Sequence, residues 1–175
     1  MQFPVFYNER YAMREMTPAD TDDMYEYLSD RDFMKYTATT PHTSKDETKK
    51  MIEKLSQSFH SGKGVAWAVE DIQSGKTIGN IGLYYLDCHR ERAGVGYNIH
   101  TLYQNRGIAT WALENCIEYA FTTLGVRKIE ATCKSPNIAS VKVMEKCGMK
   151  LQGTRYKSSE KDGIMYDVLV YSISK

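Results

Sequence analysis

The sequence lacks the features that mark several large classes of protein. Lysine and arginine (23) nearly balance aspartate and glutamate (22), so the formal net charge is +1. This balance argues against nucleic-acid binding driven by bulk charge. No apolar run is long enough to cross a bilayer, and the N-terminus, MQFPVFYNER, lacks the basic and apolar regions of a signal peptide. We therefore expect a cytoplasmic protein with no nucleic-acid or membrane partner.

Common metal and nucleotide motifs are also missing. The four cysteines, Cys88, Cys116, Cys133 and Cys147, have spacings that match no metal or redox motif, which predicts reduced thiols and no bound metal. The segment GVGYNI has the first two glycines of G-x-G-x-x-G but Ile99 where the third belongs. No G-x-x-x-x-G-K-[ST] segment occurs. The two most familiar phosphate-binding loops are thus excluded.

What is present indicates one mixed α/β domain over residues 1–175. The chain is 42% apolar, enough for a full core. Hydrophobic periodicity predicts the element order β-α-α-β-β-β-α-β-α-β-β, which is typical of an α/β domain with one sheet. The segment SKDE forms a capping box of Ser44 and Glu47 that predicts the start of the second helix. The clearest helix covers residues 108–124, where apolar residues recur every three or four positions.

That helix begins in an unusual way, after the segment QNRGIAT at 104–110 and without a Ser or Asp cap. The first four N–H groups of a helix have no partner within it, and the helix dipole adds positive charge there. The small residues Gly107 and Ala109 would let a bulky group approach the backbone, and Arg106 could add a charge-assisted bond. The pattern therefore predicts a phosphate or pyrophosphate at this helix start. The alternative is that Gly107 only makes a tight turn.

The same segment resembles a family signature. Gln104-x-x-Gly107-x-Ala109 matches the Q/R-x-x-G-x-G/A loop of the GNAT N-acetyltransferase superfamily, which binds the pyrophosphate of acetyl-CoA. The blocks NIAS at 137–140 and EKCGM at 145–149 resemble that family's N-x-x-S and E-K-x-G-F segments. Both ends of the chain look like the RimJ/RimL branch, which acetylates protein N-termini. The resemblance spans nearly the whole chain.

The resemblance implies a GNAT fold: a single mixed, mostly antiparallel sheet of six or seven strands, flanked by about four helices. The fourth and fifth predicted strands, around Gly96–Ile99 and Lys128–Lys134, would splay apart and admit the pantetheine arm of acetyl-CoA beside Tyr97. A backbone N–H near Asn98 or Ile99 would stabilise the oxyanion. The cofactor-binding residues it implies are Asn98, Ile99, His100, Gln104, Asn105, Arg106, Gly107, Ile108, Ala109, Thr110, Asn137 and Ser140.

The resemblance carries the catalytic predictions as well. Ser140 would donate a hydrogen bond to the coenzyme sulfur, although it and Asn137 could serve only in capping a helix. The general base falls on the last hairpin, where Ser159 holds the expected slot and Glu160 stands beside it. We predict Glu160 as the base, with Glu91, His89 and His100 as alternatives. A weakly equipped site suits an α-amine, since a pKa of ~8 leaves roughly a tenth of it neutral at pH 7.

The implied acceptor is a peptide N-terminus, such as that of a ribosomal protein, or a small amine such as a polyamine or antibiotic. A module that binds acyl-CoA without chemistry is a third reading, and a homodimer is compatible with the branch. The segment FMKYTATTPH at 33–42 is expected to move over the acceptor, and Asp30, Asp32 and Glu160 could attract a cationic amine. The residues expected along the acceptor wall are Tyr25, Phe33, Met34, Tyr36, Trp67, Tyr84, Tyr85 and Tyr156.

Overall fold

The computed structural model describes residues 2–86 and 91–175. The strands are β1 Phe6–Tyr7, β2 Tyr11–Glu15, β3 Val65–Asp71, β4 Lys76–Tyr84, β5 Arg92–Ile99, β6 Lys128–Lys134, β7 Lys150–Lys161 and β8 Ile164–Ser174. The helices are α1 Thr21–Leu28, α2 Lys45–His60, α3 Ile108–Thr122 and α4 Ile138–Lys146. Short 3-10 turns lie at Pro18–Asp20, Phe33–Tyr36 and Thr101–Tyr103.

All the described strands join one mixed sheet in the order β1-β2-β3-β4-β5-β6-β8-β7. The predicted order of elements is confirmed, with one addition. Strand β1 has two residues, Phe6 and Tyr7, which pair antiparallel with Met13 and Ala12. The sheet therefore has eight strands, where six or seven were expected. The extra strand was not predicted because two residues are too few to show an alternating pattern. The expected final hairpin turns at Asp162 and Gly163, both left-handed, as a tight two-residue hairpin requires.

The sheet opens between β5 and β6, as the resemblance implied. These two strands run parallel and pair only from Arg92 opposite Lys128 to Gly94 opposite Glu130. Beyond that point β5 stays paired with β4 as far as Ile99, and β6 stays paired with β8 as far as Lys134. Each strand therefore keeps one neighbour and loses the other. We call the resulting gap, between residues 95–99 and 131–134, the fork.

The helices pack on both faces of the sheet and fix which side chains enter the fork from each side. Helix α3 packs on β4 and β5, and α4 packs on β6 and α3. The core beneath them contains alternate strand residues, such as Val95 on β5 and Ala131 on β6. Helices α1 and α2 cover β4 and β3 on the opposite face, over a second core. The alternation of a strand therefore sends even-numbered residues of β5 and β6 to the face opposite α3.

The described residues contain neither a membrane-spanning helix nor a cluster of metal ligands. No helix there is long and apolar enough to span a membrane. No group of three or more histidine, cysteine or acidic side chains there could hold a metal ion. Of the four cysteines, Cys116, Cys133 and Cys147 are free thiols, and Cys88 lies outside the described residues.

Candidate active site

The start of α3 is open in the way that the sequence predicted. Its N-cap is Gly107, which is left-handed (φ 76°) and has no side chain to cap the helix. The first bond within the helix runs from the Trp111 amide to the Gly107 carbonyl, 3.0 Å. The amides before Trp111 therefore point out of the helix end. A Cβ built on Gly107 would meet nothing within 4 Å, so there is room for a bulky group beside these amides. Both properties fit a diphosphate.

The loop before α3 is held by its own side chains. The Gln104 amide nitrogen donates to the Ile99 carbonyl at 2.9 Å, which ties the loop to the end of β5. Arg106 donates to the Leu102 carbonyl at 3.0 Å and lies over the Tyr103 ring. Asn105 is left-handed (φ 60°) and exposed. Gln104 thus acts as a tie within the loop, and Arg106 keeps part of its guanidinium at the surface beside the open helix start.

The backbone of β5 aims alternate groups into the fork. The His100 amide donates to the Ile78 carbonyl of β4 at 2.8 Å. In an antiparallel ladder, the amides two residues apart point to the same neighbour, so the Asn98 amide also faces β4. The Ile99 and Tyr97 amides then face the fork. Of the two predicted oxyanion donors, the geometry therefore favours the amide of Ile99 over that of Asn98.

The Asn98 side chain lies on the face opposite α3. Its amide nitrogen donates to Asn80 Oδ1 at 3.3 Å, and the same oxygen accepts from the Tyr27 hydroxyl at 3.0 Å. His100 caps the short turn after β5, since its Nδ1 accepts from the Leu102 amide at 3.1 Å. Its Nε2 lies 3.8 Å from Glu26. Both side chains therefore have structural partners, and the coenzyme contacts predicted for Asn98 and His100 stay predictions.

Ser140 lies on the α3 side, where it is hydrogen-bonded to a tyrosine of the opposite strand. Asn137 caps α4 by accepting from the Ser140 amide at 3.2 Å. The Ser140 hydroxyl is 2.8 Å from the Tyr97 hydroxyl, which is also 3.2 Å from the Ser140 carbonyl. Burial raises the pKa of the Tyr97 phenol, so it stays protonated at neutral pH. The pair joins β5 to α4 across the fork.

The predicted bases lie elsewhere. Glu160 is exposed near the end of β7, and its carboxylate accepts from the Gly163 amide at 2.7 Å, which caps the hairpin turn. Glu91 precedes β5 at the closed end of the fork, where its carbonyl accepts from the Arg127 and Lys128 amides. His89 lies outside the described residues. The base therefore stays a prediction for all four candidates, including His100.

Comparison with known proteins identifies the family. The model of the acetyltransferase (GNAT) domain matches residues 10–150. The chain belongs to the GNAT acetyltransferase family. Among its relatives, an uncharacterized N-acetyltransferase of Bacillus subtilis, YnaD, is 32% identical over 166 residues that cover 94% of each chain. Another, p20 of Bacillus licheniformis, is 27% identical and covers 97% of this chain and 95% of its own. Membership makes the chain an N-acetyltransferase whose acetyl donor is acetyl-CoA.

Solved structures share the whole fold of this acetyltransferase. A GNAT-family acetyltransferase from Bacillus anthracis superposes with a TM-score of 0.86, is 25% identical and covers 98% of each chain. The ribosomal-protein-S5-alanine acetyltransferase of Vibrio fischeri gives 0.88 at 20% identity, covering 98% of this chain and 96% of its own. Spermidine N-acetyltransferase from Vibrio cholerae gives 0.83 at 24%, covering 95% and 96%. The last two likenesses concern the fold alone, so they leave the acceptor of this acetyltransferase open.

The acceptor side of the acetyltransferase contains lysine contacts that the sequence did not suggest. The segment 33–42, expected to be mobile, is tied to β7 because Lys161 Nζ donates to the carbonyls of Met34 and Thr37, and to that of Thr39 at 2.8 Å. Lys134, only 4% exposed, donates to the Thr37 carbonyl at 3.2 Å. Both ammonium groups meet one carbonyl from strands far apart in sequence, which no local pattern reveals.

The expected aromatic wall is only partly formed. Trp67 is fully buried in the core, and its indole N–H donates to the Pro4 carbonyl at 2.8 Å. Met34 is buried in the second core. Tyr36 packs against Tyr166 of β8, beside Lys134. Trp67 was therefore wrongly placed, because a fully buried ring at the middle of β3 cannot touch an acceptor.

Proposed function

We propose that this enzyme transfers the acetyl group of acetyl-CoA to the α-amine of a peptide or protein N-terminus, in the manner of the RimJ/RimL branch. The observation that carries the donor half is the open start of α3 beside the fork. Bound acetyl-CoA supplies the acetyl group as an activated thioester. The residues of the chain bind it, orient it and control protons around it.

The donor site divides between two parts of the chain. The amides of Ile108, Ala109 and Thr110, with the Arg106 guanidinium, would hold the diphosphate, because an anion stabilises unpaired helix-start donors. The Ile99 amide would face the pantetheine arm in the fork. The side-chain nitrogen of Asn137 would approach it from α4, since the cap uses only the oxygen of that side chain.

Proton transfer at this site would be weakly assisted. Two carboxylates on the strands next to the fork or beyond it are candidates, and both are engaged: Glu130 of β6 lies 3.1 Å from the Lys128 ammonium, and Glu160, near the end of β7, accepts from the Gly163 amide. A carboxylate that already binds such a partner must give up that contact before it can contact an amine. A lysine amine, with a pKa of ~10.4, is neutral in only about 0.04% of molecules at pH 7, against roughly a tenth of an α-amine. The engaged carboxylates therefore favour an α-amine.

Ser140 would stabilise the departing sulfur, with Tyr97 setting its orientation. When Tyr97 donates to Ser140 Oγ, the serine proton is left free to point into the fork. The raised pKa of Tyr97 makes full proton transfer to a thiolate unfavourable, since a thiol has a pKa near 8.5. Ser140 then acts as a hydrogen-bond donor, and the proton lost by the amine is the source for the thiol.

The experiment is thiol release from acetyl-CoA with matched acceptors. One peptide has a free N-terminus and no lysine, and its control has a blocked N-terminus and one lysine. We expect at least tenfold higher kcat/KM for the free N-terminus. Equal rates for the two peptides would contradict the proposal. Turnover only with small amines such as spermidine would also contradict it and would identify the acceptor as a small amine. Tight coenzyme binding with no release across the panel would support the non-catalytic module.

Two further features stay predictions. The reduced state of the described cysteines is consistent with a cytoplasmic enzyme. A homodimer is compatible with the exposed apolar side chains of the last hairpin, Leu151, Tyr156, Ile164 and Met165. Fractionation and sedimentation measurements test the two separately.

A further inference from the structure

A cavity of about 300 Å³ opens on the sheet at the closed end of the fork. Strands β4, β5, β6, β7 and β8 all contribute to its walls. The lining residues that matter below are Tyr84, Tyr85, Arg92, Glu130, Thr132 and Arg155. The donor site described above does not use any of these six side chains.

The cavity lies on the face opposite α3. Tyr97 reaches α4, so odd-numbered residues of β5 face α3 and α4, and Arg92 and Gly94 face away. Glu130 and Thr132 alternate with the core residues of β6 in the same way. A thioester arm that enters the fork from α3 would therefore have this cavity directly behind it. An amine that attacks from the other face could reach the thioester through this cavity.

The shape of the cavity suits a chain of modest width. Gly94 and Gly96 have no side chains on this face, and the Tyr84 ring lies beside Gly82 and Gly96. Tyr85 is 88% exposed and packs near Gly94, so it forms a movable wall. Burial raises the pKa of Tyr84 to about 12, so its hydroxyl stays protonated and can donate.

Of the three described charged residues that line the cavity, two are positive: Arg92 and Arg155, against Glu130. Among the described residues, the side chains of Arg92 and Arg155 form no ion pair and no hydrogen bond, although both line the same cavity. The Glu130 carboxylate is already matched by Lys128, 3.1 Å away. Lys134 lies four residues beyond Glu130 along β6, on the same face, and is paired in register with Val168, which also pairs with Arg155. Two unmatched guanidiniums at one cavity are the arrangement that binds carboxylate or phosphate.

We infer that the acceptor carries an anionic group, a carboxylate or a phosphate, close to its amine, and that Arg92 and Arg155 bind this group. The inference rests on the proposed acetyl transfer and names the chemical class of its acceptor. A purely cationic acceptor such as a polyamine is disfavoured because it would meet like charge. Asp30, Asp32 and Glu160, the acids expected to attract a cationic amine, are not among the residues that line this cavity.

The test is a comparison of matched acceptors in the wild type and in arginine variants. One pair of peptides has free N-termini and differs only by Asp or Asn at the second residue. A second pair, phosphoethanolamine and ethanolamine, distinguishes a small anionic amine from an acidic peptide. Spermidine is the cationic probe. We expect the anionic member of at least one pair to have about tenfold higher kcat/KM than its neutral partner. The preferred pair identifies the source of the anion.

The variants are R92Q, R155Q and the double variant, with R92K and R155K to preserve the charge. The preference should fall to within about twofold in the double variant and survive in part in the lysine variants. R10Q is the control, because Arg10 precedes β2 near the opposite edge of the sheet and lies 3.8 Å from Asp71; this variant should keep the full preference. Equal rates for anionic and neutral acceptors, a preference for spermidine, or an unchanged preference in the double variant would overturn the inference while leaving acetyl transfer intact. If no acceptor releases thiol although acetyl-CoA binds, the proposed function itself fails, and this inference with it.

Discussion

Two helices of this acetyltransferase begin in opposite ways. Helix α2 closes its own start, since Ser44 accepts from the Glu47 amide at 3.4 Å and the Glu47 carboxylate accepts from the Thr43 amide at 2.8 Å. Helix α3 begins at Gly107, which offers no side chain. Capping a helix start contributes about 1 kcal/mol of stability, so an uncapped start forgoes that gain unless a ligand supplies the acceptors.

The difference shows where the fold reserves donors for a ligand. The Pro18–Asp20 turn before α1 is closed by the Asp20 carboxylate, which accepts from the Thr17 amide at 2.7 Å, and α4 is closed by Asn137. Helix α1 continues directly from that turn and has no cap of its own. Of the three longer described helices, α2, α3 and α4, only α3 lacks a side-chain acceptor at its start, and that start lies beside the fork. We therefore expect variants at the capped starts to change stability, and variants at the start of α3 to change coenzyme binding.

The largest effect is expected at the open start. Gly107→Val would place a branched side chain beside the free amides. It would also require the left-handed backbone conformation of Gly107, which valine rarely adopts. We expect the dissociation constant for CoA to rise about 1,000-fold, as measured by calorimetry, because several charge-assisted bonds are lost. Gly75→Val is the control, since Gly75 is also left-handed with open space around it but lies in the β3–β4 turn. Equal binding by both variants would show that the site lies elsewhere.

A closed start should affect stability and leave binding unchanged. Although burial alone would raise it, the pKa of Asp20 is lowered because Arg14, Thr77 and the Thr17 amide hydrogen-bond its carboxylate. Asp20→Asn should reduce the free energy of unfolding at pH 7 by about 2 kcal/mol, measured in urea, since Arg14 loses one of its two carboxylate partners and keeps Glu70.

The pH dependence of Asp20 follows from its lowered pKa. A lowered folded-state pKa means that the stabilisation is complete above the unfolded value of about 3.9 and is lost as the pH falls further, through the folded value. The gap between wild type and Asp20→Asn should therefore narrow only below about pH 4. A constant gap down to pH 2, or weakened CoA binding at pH 7, would refute this separation of roles.

Helix α4 combines both roles, because its start is capped by Asn137 and also carries Ser140, which is proposed to assist catalysis. Tyr97→Phe removes the hydroxyl that orients Ser140 across the fork and leaves the Asn137 cap in place. We expect kcat to fall about tenfold, the cost of one well-placed hydrogen bond, with the CoA dissociation constant within about threefold. Ser140→Ala should show a similar fall, and the double variant should add little to it. Additive losses would mean that the two hydroxyls act independently.

The smallest effect is expected at α2. Ser44→Ala should lower the free energy of unfolding by about 1 kcal/mol and leave CoA binding and kcat unchanged. Urea unfolding monitored by circular dichroism measures the first, and calorimetry the second. A change in CoA affinity would show that helix caps and the donor site are coupled, contrary to the separation proposed above.

Patterns local in sequence predicted the fold and the donor loop well. The α2 capping box, the α3 stripe and the Gly107 junction are each written within a few residues, so periodicity and turn chemistry reveal them. The order of elements followed from hydrophobic periodicity, and the opening between β5 and β6 followed from the family resemblance. The two-residue β1 was missed because it is too short to produce a pattern.

Contacts between distant residues could not be predicted. The Tyr97–Ser140 bond joins residues 43 positions apart, and Lys161 reaches Thr39 over 122 positions. The cavity that joins Arg92 and Arg155 arises from the order of strands in the sheet. Sequence gives the face on which each residue lies once its strand is known, and only the assembled sheet shows which faces meet.

The central claim is that the free amides at the start of α3 bind the diphosphate of the coenzyme. Amide chemical shifts in a ¹⁵N-labelled sample, titrated in parallel with CoA and with pantetheine, test it most directly. We predict large shifts for Ile108, Ala109 and Thr110 with CoA and almost none with pantetheine, while Tyr97 and Ile99 respond to both. Unmoved α3 amides in the presence of saturating CoA would contradict it.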